Sequence, residues 1–192
     1  MKCDIVLAGV GGQGVLALAA AIASAAMEAR LHVKQAEVHG MAQRGGAVMA
    51  TLRLADREIA SDLIPRGTAS MILSMEPMES LRYLPYLAPE GTLVTSANPV
   101  HNIPDYPDLD DLLRRIRALP HAIVVDAEKL AREAGSARAT NMVMVGAAVH
   151  LLPMSAETVE TAVRSIFARK GEDVVSINLR ALRSGREAAR TL

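Results

Sequence analysis

The chain has 192 residues, of which 51% are hydrophobic and 2% aromatic, and its 21 basic side chains balance 21 acidic ones. This length fits one α/β domain. The zero net charge and the scarcity of aromatic rings exclude a nucleic-acid binder, which needs a basic surface and stacking platforms. The one cysteine excludes an internal disulfide and a cysteine-ligated iron–sulfur cluster held within this chain. We therefore expect residues 1–192 to form one domain in the cytoplasm.

The apolar N-terminal stretch superficially resembles a secretory signal, but Asp4 and four glycines interrupt it. Its longest uninterrupted apolar run is also far shorter than the ~20 residues that span a bilayer. We expect neither a signal peptide nor a membrane contact. The zero net charge and the apolar composition favour association with other proteins and permit a homodimer of the isolated chain.

Short apolar runs alternate with helical patterns through the first two thirds of the chain. The predicted strands are Asp4–Ala8, Leu31–Ala36, Ala47–Leu54, Ala69–Ser74, Gly91–Ser96 and His121–Asp126. The predicted helices are Gln13–Ala29, Glu76–Leu84, Asn141–Leu152, Ser155–Ala168 and Ile177–Ala189. This alternation predicts an α/β, Rossmann-like three-layer fold with a mostly parallel sheet and a helical C-terminal portion. Three prolines mark residues 98–111 as a long surface loop of functional interest.

A glycine-rich segment follows the first predicted strand and opens the first helix. Gly9, Gly11 and Gly14 fill the G-x-G-x-x-G pattern, with Gly12 and Gln13 between them. In that pattern the first glycine makes a tight turn, the second admits a phosphate and the third lets the helix pack closely. Backbone N–H groups at the helix start would hold the anion. The segment alone is also compatible with a plain strand-to-helix turn, or with NAD binding if Glu37 bound the ribose hydroxyls.

A second segment is more specific: His39-Gly40-Met41-Ala42-Gln43-Arg44-Gly45-Gly46. Arg44 lies beside Gly45 and can bind a carboxylate or phosphate in a bidentate manner. His39 can transfer protons near neutral pH, and Gln43 adds an amide. His39, Gln43 and Arg44 are therefore the candidate catalytic residues. A glycine-rich hairpin with solvated polar side chains is the alternative.

Together the two segments closely resemble the gamma-type subunit of the 2-oxoacid (pyruvate/ketoacid):ferredoxin oxidoreductase family, and most of all the small subunit of its indolepyruvate branch. The resemblance continues in Thr140-Asn141-Met142-Val143-Met144-Val145-Gly146-Ala147 and in Ile177-Asn178-Leu179 leading to Gly185. It therefore extends over essentially the whole chain.

The resemblance implies a subunit that is inactive alone. A large partner would carry thiamine diphosphate and the iron–sulfur clusters, and the complex would decarboxylate an aryl-pyruvate oxidatively, forming an acyl-CoA and reducing ferredoxin. Gly9, Gly11, Gly12, Gln13, Gly14, Arg44 and Gly45 are then the candidates for cofactor binding, with coenzyme A contact left open. No metal site is expected, and no Gly-Asp-Gly signature for thiamine diphosphate occurs. A free-standing NAD(P)-binding oxidoreductase and a purely structural subunit are the alternatives.

Other polar residues favour structural interpretations. Glu76 and Glu79 lie three residues apart, which fits a solvated helix start better than a cation site. His101 is expected to be an exposed loop residue, and His150 to be a hydrogen-bonded core or interface residue. A basic run, Arg114, Arg115 and Arg117, indicates a solvated helix face. Asp126 and the pair Thr140–Asn141 are expected to cap helices, although Asp126 also ends a strand where α/β ligands bind.

Overall fold

The computed structural model describes residues 1–38 and 45–190. Its six strands, in chain order, are β1 (Lys2–Val10), β2 (His32–Val38), β3 (Ala47–Ala55), β4 (Ala69–Ser74), β5 (Leu87–Ser96) and β6 (Ala122–Val125). They form one sheet in the spatial order β2-β3-β1-β4-β5-β6. The strands β1, β4, β5 and β6 are parallel neighbours, whereas β3 is antiparallel to both β1 and β2. Five of the six described strands therefore run in one direction, which confirms the mostly parallel sheet.

Seven α-helices accompany these strands in the described residues: α1 (Val15–Glu28), α2 (Pro77–Arg82), α3 (Leu109–Arg117), α4 (Ala127–Glu133), α5 (Thr140–Ala148), α6 (Ala156–Phe167) and α7 (Glu172–Arg190). Buried side chains of α1 and α4 to α7 share one core with Ile5 and Leu7 of β1. Val6, between them in the strand, belongs to a second core with residues of α3. This alternation follows from the two-residue repeat of a strand, and it confirms a sheet covered on both faces.

The structure corrects several predicted boundaries. Strand β1 extends to Val10 because the antiparallel ladder with β3 continues to the pair Val10 and Ala47. Gly9 therefore lies inside a strand, opposite Val48, and does not make the tight turn that the glycine pattern predicts. Helices α3 and α4 are not among the predicted helices, and α7 begins at Glu172 rather than at Ile177. The predicted loop 98–111 ends at Asp108, whose side chain accepts a hydrogen bond from the Asp111 N–H at 2.9 Å and starts α3.

Two glycines allow α5 and α7 to cross in backbone contact. A Cβ atom on Gly146 would lie 1.9 Å from the carbonyl oxygen of Leu182. A Cβ atom on Gly185 would lie 1.9 Å from the carbonyl oxygen of Val143. Each helix thus presents a glycine to the backbone of the other. The crossing fixes α5, and α5 in turn carries residues of the site described next.

Candidate functional site

A cleft of about 370 Å³ lies at the carboxyl edge of the sheet, between β1 and β4. The helix after β1 packs on one face of the sheet and the helix after β4 packs on the other, so this is the point where an open α/β sheet forms a ligand crevice. The residues that line it are Gly12, Gln13, Gly14, Met75, Ser96, Asn98, Val100, Glu128, Ala137, Arg138, Thr140 and Asn141.

The glycine loop forms one wall of this cleft. Gly12 has φ of +103° and its missing side chain would meet nothing within 4 Å, so its backbone is open to the cleft. Gly14 has φ of +80° and is the N-cap of α1. A Cβ atom there would lie 2.6 Å from the Asn141 amide nitrogen. Both positions favour glycine because an L side chain is strained in the left-handed region, and at Gly14 it would also collide with α5.

The backbone N–H groups of this loop divide into two sets. The Gly11 N–H donates to the Gly46 carbonyl at 2.8 Å, and the Gln13 N–H donates to the Val10 carbonyl at 3.1 Å. These two groups are used within the protein. Within the described residues no hydrogen bond is made by the Gly12 and Gly14 N–H groups, so these two groups of the loop are available to an anion at the positive end of the α1 dipole.

The side chain of Gln13 connects the loop to the neighbouring strand. Its Oε1 atom accepts from the Val10 N–H at 2.7 Å, and its Nε2 atom donates to the Met75 carbonyl at 3.1 Å. Gly9 lies directly beneath, and a Cβ atom there would lie 2.8 Å from Val15 and 3.0 Å from Gln13 Oε1. Gln13 thus fixes the loop while it lines the cleft, and Gly9 provides room for that packing.

The end of the second glycine segment lies beside the first. The Gly45 N–H donates to the Gly11 carbonyl at 3.4 Å, and the Asn102 side chain donates to the Gly45 carbonyl at 2.7 Å. The candidate catalytic residues His39, Gln43 and Arg44 lie outside the described residues. Gly45, by contrast, is placed at the glycine loop, one residue after Arg44.

The opposite wall comes from the segment that leads into α5. Arg138 is exposed, and within the described residues its guanidinium makes no ion pair or hydrogen bond. The Asn141 amide donates to the Gly14 carbonyl at 3.4 Å, and the Thr140 hydroxyl donates to the Ala137 carbonyl at 2.7 Å. The predicted cap at Thr140–Asn141 is therefore wrong: α5 begins after Ala139 without a side-chain cap.

One cleft residue, Arg138, could not be found from local sequence patterns, whereas Asn98 and Val100 lie in the loop 98–111 that the sequence marks as functional. Arg138 is separated from the loop by more than 120 positions, and its only signal is its place just before the Thr140-Asn141 segment. Asn98 follows β5 and holds the adjacent helix, because its amide donates to Asp126 Oδ1 at 2.9 Å and its Oδ1 atom accepts from the Glu128 N–H at 2.9 Å. Glu128, the acid of the cleft wall, is paired with Arg132 at 2.7 Å. Of the two charged residues in the described lining, Arg138 is therefore the one without an ion pair among the described residues.

Glu76 and Glu79 differ from their prediction. Both are fully buried rather than solvated. Glu79 pairs with Arg82 at 2.9 Å. Glu76 accepts from the Glu79 N–H at 2.7 Å and caps α2, and it also accepts from the Tyr106 hydroxyl. Burial raises the pKa of the Glu76 carboxyl above its ordinary value, and these hydrogen bonds oppose that rise.

The remaining polar candidates have structural roles. Asp126 caps α4 by accepting from the Lys129 N–H at 3.1 Å, as predicted. His101 is exposed, also as predicted, and lies edge-on to Tyr106 with 4.8 Å between ring centroids. His150 is exposed, so the prediction of a core position is wrong, while its alternative, a position at an interface, stays a prediction. Partial burial and the charge of Arg190 lower the pKa of His150.

The arginines of α3 are solvated, and the described residues contain neither a metal-ligand cluster nor a membrane-spanning helix. Arg114 and Arg115 lie on an exposed face of α3 and pair with Asp111 at 2.7 and 2.8 Å, which confirms the solvated helix face. Across residues 1–38 and 45–190, no group of three His, Cys, Asp or Glu side chains could hold a metal ion. No helix in the same ranges is long and apolar enough to cross a bilayer.

The position of Glu37 argues against an NAD site. In the dinucleotide-binding pattern, the strand with the acidic residue lies directly beside the first strand. Here β3 separates β2 from β1, so Glu37 lies one strand spacing, about 4.8 Å, further from the glycine loop. Its carboxylate also accepts from the Gln35 amide at 2.6 Å. The acid that is required for the ribose is thus displaced from the cleft.

The mostly parallel sheet, its helices on both faces and the glycine loop at its switch point define an α/β domain of the Rossmann-like class. Residues 4–188 match the pyruvate ferredoxin/flavodoxin oxidoreductase family. The chain therefore belongs to this family, as the small, gamma-type subunit of a 2-oxoacid:ferredoxin oxidoreductase, which confirms the resemblance seen in its two glycine segments.

Three relatives illustrate this relationship. The indolepyruvate oxidoreductase subunit IorB of Archaeoglobus fulgidus is 39% identical over 196 residues, which cover 96% of this chain and 94% of the relative. The keto/oxoacid ferredoxin oxidoreductase gamma subunit of Geobacter sulfurreducens PCA has a TM-score of 0.75 at 23% identity and covers 99% of both chains. A 2-oxoglutarate:ferredoxin oxidoreductase of Magnetococcus marinus, solved with 2-oxoglutarate, coenzyme A and succinyl-CoA bound, has a TM-score of 0.78 at 24% identity and covers 100% of this chain and 31% of that one.

Proposed function

We propose that this subunit works in an oxidoreductase for aryl-pyruvates such as indolepyruvate, and that its cleft holds a phosphate group of coenzyme A. The 2-oxoacid loses its carboxylate as carbon dioxide, and its remaining acyl group forms a thioester with coenzyme A, whose thiol proton is released to solvent. The two electrons set free by this oxidation reduce ferredoxin. The observation that carries the role of the cleft is that the open Gly12 backbone, just before α1, lines the same cleft as Arg138, whose guanidinium has no ion pair within the described residues.

The proposed binding uses two kinds of donor. The Gly12 and Gly14 N–H groups and the α1 dipole suit a phosphate at short range. Arg138 adds a full positive charge and a bidentate donor set on the opposite wall. Asn141 keeps the two walls together, because it is the α5 residue that reaches the Gly14 carbonyl. Arg44, His39 and Gln43 belong to the neighbouring segment, and we propose that Arg44 adds a second charge at the mouth of the site.

The redox and thiamine chemistry is assigned to partner subunits. Cys3 is the only cysteine, and a cluster of the four-cysteine type needs four thiolates. A large subunit with thiamine diphosphate and iron–sulfur clusters would therefore complete the enzyme in the cytoplasm. The chain also has four aromatic side chains in all, so the partner would supply most of the pocket for the aryl group. We propose that residues 1–192 act in this complex as one gamma-type domain, since one sheet connects both cores.

The test is a matched pair of glycine variants in the assembled complex. Gly12→Ala adds a methyl group at the cleft and imposes a left-handed conformation on an L residue, which costs about 1–2 kcal/mol. Gly171→Ala is the control, because Gly171 has φ of +94° and open space around it but does not line the cleft. We expect Gly12→Ala to raise the KM for coenzyme A about tenfold in an anaerobic, indolepyruvate-dependent dye-reduction assay, whereas Gly171→Ala leaves it unchanged.

Three results would contradict the proposal. Equal coenzyme A kinetics in both variants would remove the cleft from coenzyme A binding. Loss of co-purification with the large subunit, with unchanged kinetics in whatever complex remains, would instead support a purely structural subunit. Micromolar NAD binding by the isolated chain, without any partner, would support the free-standing oxidoreductase.

A further inference from the structure

We infer that Glu76 is a positioning residue, whose carboxylate holds the segment 97–108 against the cleft through Tyr106 and Val100. This inference rests on the proposed function of the cleft. Glu76 follows β4 directly and is 0% exposed. A buried carboxylate requires several hydrogen bonds, and the donors to the Glu76 carboxylate come from two different parts of the chain.

One carboxylate oxygen of Glu76 faces its own helix. Oε2 accepts from the Glu79 N–H at 2.7 Å, as an ordinary N-cap does. The backbone N–H of Glu76 is satisfied nearby, since it donates to Ser74 Oγ at 3.2 Å. A capping residue needs nothing more, and an exposed Asp or Ser would serve equally well. The burial of Glu76 therefore calls for another explanation.

The other oxygen faces the segment 97–108. Oε1 accepts from the Tyr106 hydroxyl and from the Val100 N–H at 3.4 Å, 30 and 24 positions along the chain. Burial, and then the hydrogen bond to Glu76, raises the pKa of Tyr106, so its hydroxyl keeps the proton that it donates. The segment between Val100 and Tyr106 is thus tied at both ends to one buried atom.

This attachment bears on the cleft because the same segment lines it. Val100 and Asn98 are cleft residues. Between the two ties, Asn102 donates to the Gly45 carbonyl at 2.7 Å, and Gly45 contacts Gly11 of the glycine loop. Releasing Oε1 would therefore loosen the Val100 wall and the support of the second glycine segment together. Glu76 itself does not line the cleft, so it acts through these residues.

Tyr106→Phe tests the inference in the assembled complex, with Tyr86→Phe as the matched control. Tyr86 is a half-buried ring that packs against the same core, and within the described residues its hydroxyl makes no hydrogen bond. We expect Tyr106→Phe to accelerate hydrogen–deuterium exchange in residues 97–108 at least about tenfold, since a hydrogen bond to a charged group is lost. The KM for coenzyme A should rise about three- to tenfold with kcat within about twofold, and Tyr86→Phe should change neither.

Glu76→Gln provides an independent variant. An amide offers one acceptor oxygen where the carboxylate offers two, so the contacts with Glu79, Tyr106 and Val100 cannot all be kept. We expect the same faster exchange and the same rise in KM, with near-native circular dichroism. Unchanged exchange in residues 97–108 in both variants would overturn the attachment. The positioning role would be overturned if exchange became faster while the KM for coenzyme A stayed equal to that of the Tyr86→Phe control complex. Failure of the proposed function would appear separately, as a Gly12→Ala complex with unaltered kinetics.

Discussion

Gly146→Ala tests whether the crossing of α5 and α7 determines both stability and the cleft. The new methyl carbon would begin 1.9 Å from the Leu182 carbonyl oxygen, and contacts below 3.0 Å are essentially never seen. The two backbones must therefore separate by about 1 Å, which forfeits a quarter to a half of each affected van der Waals contact. Every residue of α5 from Met142 to Ala148 is buried, so few of these contacts can be replaced by water.

The magnitude follows from two opposing effects. Overpacking a core costs typically 1–3 kcal/mol, and a clash with backbone rather than a flexible side chain belongs at the upper end. Replacing a helical glycine by alanine returns about 1 kcal/mol. We therefore expect a net loss of about 2 kcal/mol, or a Tm lower by about 4–8 °C for a chain of this size. Asn141 lies at the start of α5, so the KM for coenzyme A should rise as well.

Thermal unfolding followed by circular dichroism measures the effect. Ser184→Ala, beside the crossing on α7, serves as the control for helix propensity and should change stability by less than about 0.5 kcal/mol. The double variant with Gly185→Ala should lose less free energy of unfolding than the two single variants lose together, because helices that are already apart accommodate the second methyl group. A higher Tm for Gly146→Ala, or strict additivity in the double variant, would refute the close crossing.

Two further predictions concern the amino end of the sheet. Asp4 is buried and pairs with Arg53 at 2.9 Å and with the exposed Lys2 at 2.7 Å. Arg53→Met removes the hydrogen bonds to this carboxylate but leaves Lys2 beside it, so it should cost about 2 kcal/mol in chemical unfolding. Arg57→Met, at an exposed neighbouring position, should cost almost nothing, and equal losses would contradict the buried pair. Cys3 is buried, and that burial raises the pKa of its thiol to about 11. A thiol-specific dye should therefore label the native protein very slowly at pH 8 and faster as the pH rises. After unfolding, the dye should label one thiol per chain. Rapid labelling of the native chain at pH 8 would show that the thiol is accessible.

The parts of the fold that depend on neighbouring residues were predictable. An apolar run that ends in glycines and is followed by an alanine-rich stretch specifies β1, the loop and α1, because burial and backbone freedom are set within about twenty residues. The predicted helix Ser155–Ala168 is likewise present as α6, and Ser155 caps it by accepting from the Thr158 N–H at 3.2 Å. In each of these cases the partner atoms are close in the chain.

The features that could not be predicted from the sequence depend on residues that are far apart in the chain. Glu76 looks like a solvated acid because nothing near it in sequence shows that Tyr106 and Val100 fold back over it. The sequence of β3 does not show that this strand runs opposite to the other five described strands, because the residue alternation along a strand is the same in both directions. Arg138 and Asn141 reach the glycine loop only after the C-terminal helices pack, so their position in the cleft follows from tertiary structure alone.

The contact between Asn141 and the Gly14 carbonyl joins positions 127 residues apart. During synthesis the glycine loop therefore leaves the ribosome long before the helix that closes its cleft. A nascent chain that ends before α5 can contain every strand of the sheet and still lack one whole wall of the site. The lining of the cleft is thus complete only when nearly three quarters of the chain, up to Asn141, has been made.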